Sequence, residues 1–283
     1  MKKPLLTLAL ASGLLQGCLS NDSSDATNDS SQLSLAITDA AIDFAAEVNV
    51  VIEGIELHSD QGAHTVDFTE ARTINLLALQ GSESEALLTG ETLPAGEYQW
   101  LRLKVESANI VLSENGAQMP LTIPSSAQSG FKLVGGFILP ANGSADFTLD
   151  FDVRKSLTVN AGSGYKLRPT IRMVNNLEVG HIGGSVEGTL CAASSSMAVY
   201  AYEGIDATMG DEGSDTAPVA SSLVSDAYQY EIGFLTAGDY TVALTCFAAE
   251  DDAEVGGDEL TFVVSGNVTV DSKQTSIFDL QAQ

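Results

Sequence analysis

Apolar residues recur at every second position along most of this chain, and that period decides what it can fold into. Leu33, Leu35 and Ile37 alternate with small or polar residues, and so do Val48, Val50 and Ile52. Leu101, Leu103 and Val105 alternate with Arg102 and Lys104, and Phe147, Leu149 and Phe151 with Thr148, Asp150 and Asp152. Tyr165, Leu167, Pro169, Ile171 and Met173 alternate with Lys166, Arg168, Thr170 and Arg172. Successive side chains of a strand point to opposite faces, so each run is a strand with one face to bury. The phase slips at Gly54, ahead of Ile55 and Leu57, which marks a bulge. Asn115-Gly116 and Asn142-Gly143 supply tight turns. A helix is expected only as a short one around Glu83 to Leu88. Many short strands without interleaved helices imply an all-β chain built as sandwiches or a barrel-like sheet.

A Gly-rich step at Val179 to Gly184 marks a boundary, which gives two β-sandwich domains, 33–178 and 181–283. The second carries apolar runs at Tyr228 to Phe234, Thr241 to Phe247, Leu260 to Val264 and Val268 to Val270, and a single basic residue, Lys273. The two halves share a short stretch. Leu93-Pro94-Ala95-Gly96-Glu97-Tyr98 matches Leu235-Thr236-Ala237-Gly238-Asp239-Tyr240. The glycine permits a tight turn. The tyrosine packs its ring while its hydroxyl reaches backbone.

The 283 residues hold 38 acidic and 12 basic side chains, a net charge of -26. A surface this negative repels nucleic acid and anionic headgroups and attracts cations. The N-terminus reads as an address. Met1-Lys2-Lys3 is a positive start and Leu5 to Leu15 an apolar run too short to span a bilayer, which fits an exported signal peptide over residues 1–17. Leu15-Gln16-Gly17-Cys18 resembles the bacterial lipobox, so Cys18 is expected to carry acyl chains such as palmitate and to anchor the protein in a membrane. Leu19 in place of an aspartate points to the outer membrane and the cell envelope. Residues 18–32 are rich in Ser, Asp and Asn, with little to bury, and read as a flexible linker. Cys191 and Cys246 then remain as an even pair in an exported protein. A disulfide is expected of them, with free thiols as the alternative.

Several short motifs occur in one order: Thr38-Asp39-Ala40, Leu93-Pro94-Ala95-Gly96-Glu97-Tyr98, Leu101-Arg102-Leu103, Pro124-Ser125-Ser126, Gly130-Phe131-Lys132-Leu133, Leu149-Asp150-Phe151-Asp152 and Leu167-Arg168-Pro169. Together they resemble the bacterial family called domain of unknown function 4382, over residues 33–178. Ala41 departs from the proline usual in that family. The second half resembles carboxypeptidase-regulatory or transthyretin-like sandwiches, which implies Greek-key or transthyretin-like character. The resemblance implies a fold and a location and brings no activity.

The candidate binding patch is Arg102, Lys132, Asp150, Asp152, Lys155, Ser156, Lys166 and Arg168. It would bind a sugar or a peptide terminus, or else form an outward face of complementary charges, with Asp150 opposite the Lys166 strand. Asp150 and Asp152, two apart on one strand face, also allow a polymer hydrolase with paired carboxylates. No nucleophile elbow surrounds Ser156, so no catalytic residue is assigned. Asp211, Asp215, Asp251 and Asp252 lie in acidic loops and are weak candidates for a structural calcium ion, though neither loop has EF-hand spacing. His58 and His64 would face each other across a hairpin. No cofactor is expected. The reading that follows is a non-enzymatic envelope module binding glycan, envelope or a protein partner, with a hydrolase or a purely structural protein as alternatives.

Overall fold

The computed structural model describes residues 29–40, 44–113, 116–124, 130–160, 164–192, 196–257 and 260–282. The signal peptide, Cys18 and nearly all of the linker lie outside the described residues, as do Asn115, Ser125 and Ser126. What is described is nearly all β, as the alternation predicts.

The first half runs β1 (Ser30–Ala40), β2 (Glu47–Ser59), β3 (Gly62–Asn75), β4 (Glu85–Pro94), β5 (Gly96–Val111), β6 (Met119–Pro120), β7 (Phe131–Leu139), β8 (Ser144–Asp152), α1 (Val153–Ser156), β9 (Leu157–Asn160), β10 (Gly164–Leu167) and β11 (Ile171–Asn175). One sheet has the order β11-β8-β1-β4 and the other β3-β2-β5, with β6 and β7 both on the far side of β5. The inward residues of both sheets, among them Leu33, Ile37, Val50, Ile55, Leu103, Phe131 and Phe151, close one core.

The second half runs β12 (Val179–Ser185), β13 (Ala198–Glu203), β14 (Ala220–Leu223), β15 (Gln229–Thr236), β16 (Gly238–Thr245), β17 (Phe262–Val270) and β18 (Thr275–Ile277). Its sheets are β15-β12-β18 and β14-β13-β16-β17, around a second core that includes Ile182, Val199, Leu235, Val242 and Leu280. The two halves are wired alike. β1 pairs antiparallel with β4 and parallel with β8, as β12 does with β15 and β18. β2 lies between β3 and β5, with β7 beyond, as β13 lies between β14 and β16, with β17 beyond.

The matched Ala-Gly-Glu/Asp-Tyr stretches sit at the same point of this plan, where the chain leaves one sheet of a sandwich for the other. Tyr98 donates to the Pro94 carbonyl at 2.9 Å and Tyr240 to the Thr236 carbonyl at 2.7 Å, four residues back in both cases. A buried ring anchors each corner while its hydroxyl satisfies a carbonyl the turn would otherwise strand.

Gly54 is a bulge, as expected: the register of β2 shifts there on both sides. A Cβ on Gly54 would fall 2.5 Å from the Val66 carbonyl oxygen. The sequence reading needs correcting in two places. Glu83 to Leu88 is not helical. β4 begins at Glu85, and Ala86 and Leu88 pair with Ala36 and Leu35 of β1. Burial of Leu87 and Leu88 in the core outweighs a helical preference too short to nucleate. The run Tyr165 to Met173 is two strands. Pro169 has no N–H to continue a ladder, so β10 pairs with β9 and β11 crosses to β8. The Gly-rich step lies in β12, the first strand of the second half. Gly180 and Gly184 let other backbone approach: a Cβ would stand 2.2 Å from the Asp271 carbonyl oxygen and 2.0 Å from that of Phe278.

Cys191 and Cys246 are disulfide-bonded, with Cα atoms 5.6 Å apart. Among the described residues no helix is long and apolar enough to cross a membrane.

Candidate functional site

β8 leads straight into α1 at the meeting of the two halves, and that turn concentrates charge. Asp152 caps α1 by accepting the Lys155 N–H at 3.0 Å. The Lys155 ammonium lies 3.4 Å from the Asp152 carboxylate and 2.8 Å from Glu212 Oε2 of the second half, and donates to the Pro218 carbonyl at 3.2 Å. Asp150 is paired with Arg172, its cross-strand partner on β11, with Nε donating to Oδ2 at 2.6 Å. Arg154 donates to the Ala248 carbonyl at 3.0 Å. Behind it Tyr200 donates to Asp251, which also accepts the Glu212 N–H at 3.1 Å.

The electrostatics follow from burial. Desolvation raises the Asp150 carboxyl above the ordinary carboxylate range despite Arg172. Glu212 is raised by burial too, against the pull of Lys155, and Asp251 is raised by burial against its bond from Tyr200. Burial pulls the Lys155 ammonium down, but the charges of Glu212 and Asp152 outweigh it and the net direction is up. The Lys155 ammonium is thus favoured and offsets part of the burial cost of the Glu212 carboxylate. Beside these groups lies a cleft of about 350 Å³ lined by Asp150, Asp152, Lys155, Ile171, Arg172 and Val219.

The proposed patch therefore divides. Asp150, Asp152, Lys155 and Ser156 come together; Arg102 and Lys132 lie on the outer face of the other sheet. Lys166 is on β10 and pairs with Thr158, so Asp150 faces Arg172 and not Lys166. Arg168 is exposed beyond the end of β10. Ser156 is fully buried, donating to the Asp152 carbonyl at 2.5 Å and accepting the Thr170 N–H at 2.8 Å. Each carboxylate of the suggested hydrolase pair is held by a cation of its own. Glu212, Arg172 and Arg154 complete the cluster. Arg172 was visible at period two, but no local signal ties Glu212 to a lysine 57 positions earlier.

The acidic loops pack on each other. Asp211 accepts N–H groups of Gly213 and Gly257, both at 3.0 Å, and Asp251 serves Tyr200 and Glu212. Asp252 accepts the Glu254 N–H at 2.9 Å, and Asp215 is exposed. Two of the calcium candidates are thus buried acceptors for the chain's own donors, and among the described residues no cluster of three or more metal-ligating side chains forms. His58 and His64 do not face each other. Their register is offset by one, Leu57 opposite His64 and His58 opposite Ala63, so they point to opposite faces of the sheet.

The second grouping centres on Trp100, the only tryptophan of the chain. Tyr98 and Phe131 belong to the core, but Trp100 is half-buried on the outer face. His58 stacks on its ring at 4.9 Å between centroids, and the Arg102 guanidinium and Lys132 ammonium lie over it at 4.9 and 4.4 Å. Arg102 is also paired with Glu56 at 2.8 Å.

One substitution tests the first cluster. Lys155→Met is expected to destabilise the protein by about 2 kcal/mol, less than the full cost of orphaning a buried charge because the pair is partly solvated. Adding Glu212→Gln should recover part of the loss, as a double-mutant cycle in denaturant would measure. Additive losses would mean that the two groups do not interact.

A family model described as domain of unknown function (DUF4382) matches residues 30–169, from the first residue of β1 to the proline between β10 and β11. No curated protein matches the sequence. Solved structures similar to the chain include the Bacillus anthracis TIE protein (10% identity, TM-score 0.23, 89% of this chain and 34% of that one). Others are the minor pilin GBS52 of Streptococcus agalactiae (11% identity, TM-score 0.21, 87% and 94%) and a fimbrial protein from Bacteroides ovatus (7% identity, TM-score 0.24, 89% and 49%). The chain spans about a third of the length of the TIE protein. Over residues 30–169, then, the chain matches the family described as domain of unknown function DUF4382.

Proposed function

We propose that this protein is a non-enzymatic module of the cell envelope, held at a membrane by lipid on Cys18, whose two sandwich domains act as one body that binds or spaces other envelope components. One observation carries the non-enzymatic part. The groups that chemistry would need at the meeting of the halves are spent on each other: Ser156 is buried and bonded twice, and Asp150, Asp152 and Glu212 each have a cation. That arrangement supports a joint rather than a reactive centre. The strand order repeated in both halves supports the transthyretin-like reading. The lipobox and the residue Leu19 support the outer membrane. The acid excess argues against nucleic acid as a partner.

The test is the full chain expressed in a bacterium fed radiolabelled palmitate. Label in the wild type, with the protein in outer-membrane fractions, and no label in Cys18→Ser, released from the membrane, is the expected result. Equal membrane retention of both would overturn the anchor.

A further inference from the structure

The outer face of β5 holds a grouping that the joint does not explain. β2 and β7 flank β5 on opposite sides. His58 and Lys132 therefore approach the Trp100 ring from opposite sides, and Arg102 lies one strand repeat along. The next cross-strand pair, Trp100 and Val134, leaves an aliphatic side chain beside the ring, and Val134 is 81% exposed. Two buried polar atoms of side chains that lie against the indole have no hydrogen-bond partner among the described residues: His58 Nδ1 and Arg102 Nε. Buried polar atoms are normally bonded, so two of them beside one ring point to something that bonds them. Lys132 is exposed and has no ion pair among the described residues, although acidic side chains outnumber basic ones three to one in this chain.

We propose that Trp100, Lys132, Arg102 and His58 form a binding site for a single uronic-acid residue within an otherwise neutral polysaccharide. Once Arg102 and Lys132 swing off the ring they now cover, the indole offers a flat apolar face to the C–H face of a pyranose. The Lys132 ammonium, 4.4 Å from the ring centroid, swings aside to pair with the sugar carboxylate. Arg102 and His58 take hydroxyls. The ligand carries sparse charge because Glu56 and Glu97 border the same face and the whole chain is strongly acidic, so a dense polyanion is repelled. The platform stands on strands, which hold its backbone rigidly while the long cationic side chains move. The proposal names the ligand class for the envelope-binding reading above and rests on it.

Because Trp100 is the sole tryptophan, its fluorescence reports this site alone. The full mature chain in detergent would be titrated with an aldotriouronic acid, with xylotriose as the neutral counterpart and inorganic sulfate as a bare anion. A saturable change with the acidic sugar only, weakened about tenfold in Lys132→Ala as for loss of one charge-assisted contact, is expected. No change, an equal response to xylotriose or sulfate, or a Lys132→Ala variant that binds as well as the wild type would each overturn the site. Palmitate labelling of the same preparation tests the anchor separately, so failure of the site is distinguishable from failure of the envelope reading.

Discussion

Replacing Cys191 and Cys246 together by serine is expected to lower stability by about 4 kcal/mol, from the chain entropy released when the loop between them opens. The bond closes a separation of 55 residues and ties the segment after β12 to the end of β16. Those elements lie in the two different sheets of the second half, so the bridge staples the sandwich across its core. Cys246 is buried and Val186 and Leu244 nearby are core residues, so the opened segment would take packing with it. In a protein of this size the loss corresponds to a fall in Tm of about 10 °C. The measurement is thermal unfolding of the wild type with and without reductant, beside the double variant. Reduced wild type and variant should melt together, well below the oxidised protein. A difference under about 1 kcal/mol would show that the loop is held by packing alone, outside the usual range for such bonds.

How far the sequence could be read depends on the range of each interaction. Period two, the slip at Gly54 and the paired Ala-Gly-Glu/Asp-Tyr stretches are local, and each became a strand, a bulge and a corner between sheets. The core followed from the same alternation, since Leu33, Leu35, Ile37, Leu101 and Leu103 are all buried. Pairing is not local. Nothing near Asp150 tells whether Lys166 or Arg172 will lie opposite, and Pro169 decided it by breaking the ladder between them. The candidate patch divided for the same reason: Arg102 and Lys132 share a face with Trp100, whereas Asp150 and Lys155 share the meeting of the halves. Acidic loops look like solvated surface or a cation site when read as composition. Asp211, Glu212 and Asp251 are buried instead, because β13 is covered on both faces and these loops, with Tyr200, Tyr202 and Ala248, close its outer side.

Gly233→Ala is expected to cost about 3 kcal/mol, the upper range for forcing atoms into a packed interior, and to loosen the halves from each other. Gly233 lies on β15 of the second half. A Cβ there would stand 1.8 Å from the carbonyl oxygen of Gly81, in the turn before β4 of the first half. Both partners are backbone, so no side chain can swing away. Gly81 has little room to retreat, since it holds a φ of +66° and its own missing Cβ would meet Glu231 Oε2 at 3.0 Å. The next residue, Phe234, is held at a φ of 53° and donates its N–H to His181 Nδ1 at 3.3 Å, so the strand cannot shift without breaking that bond. Burial already lowers the His181 pKa, which keeps the accepting nitrogen free of a proton. The control is Gly135→Ala on β7, where an added Cβ meets nothing within 4 Å. Alanine there should be neutral or slightly stabilising, because the unfolded chain loses freedom. The two variants would be compared by denaturant unfolding and by limited proteolysis at the segment 176–178 between β11 and β12. Faster cutting at that segment in Gly233→Ala alone would mean that the glycine contact, with the Lys155–Glu212 pair and the Arg154 bond to Ala248, is what makes two sandwiches behave as one body. Equal cutting and equal stability in both variants would mean that the halves already move apart in solution, and the joint would then have no part in presenting the outer face of β5.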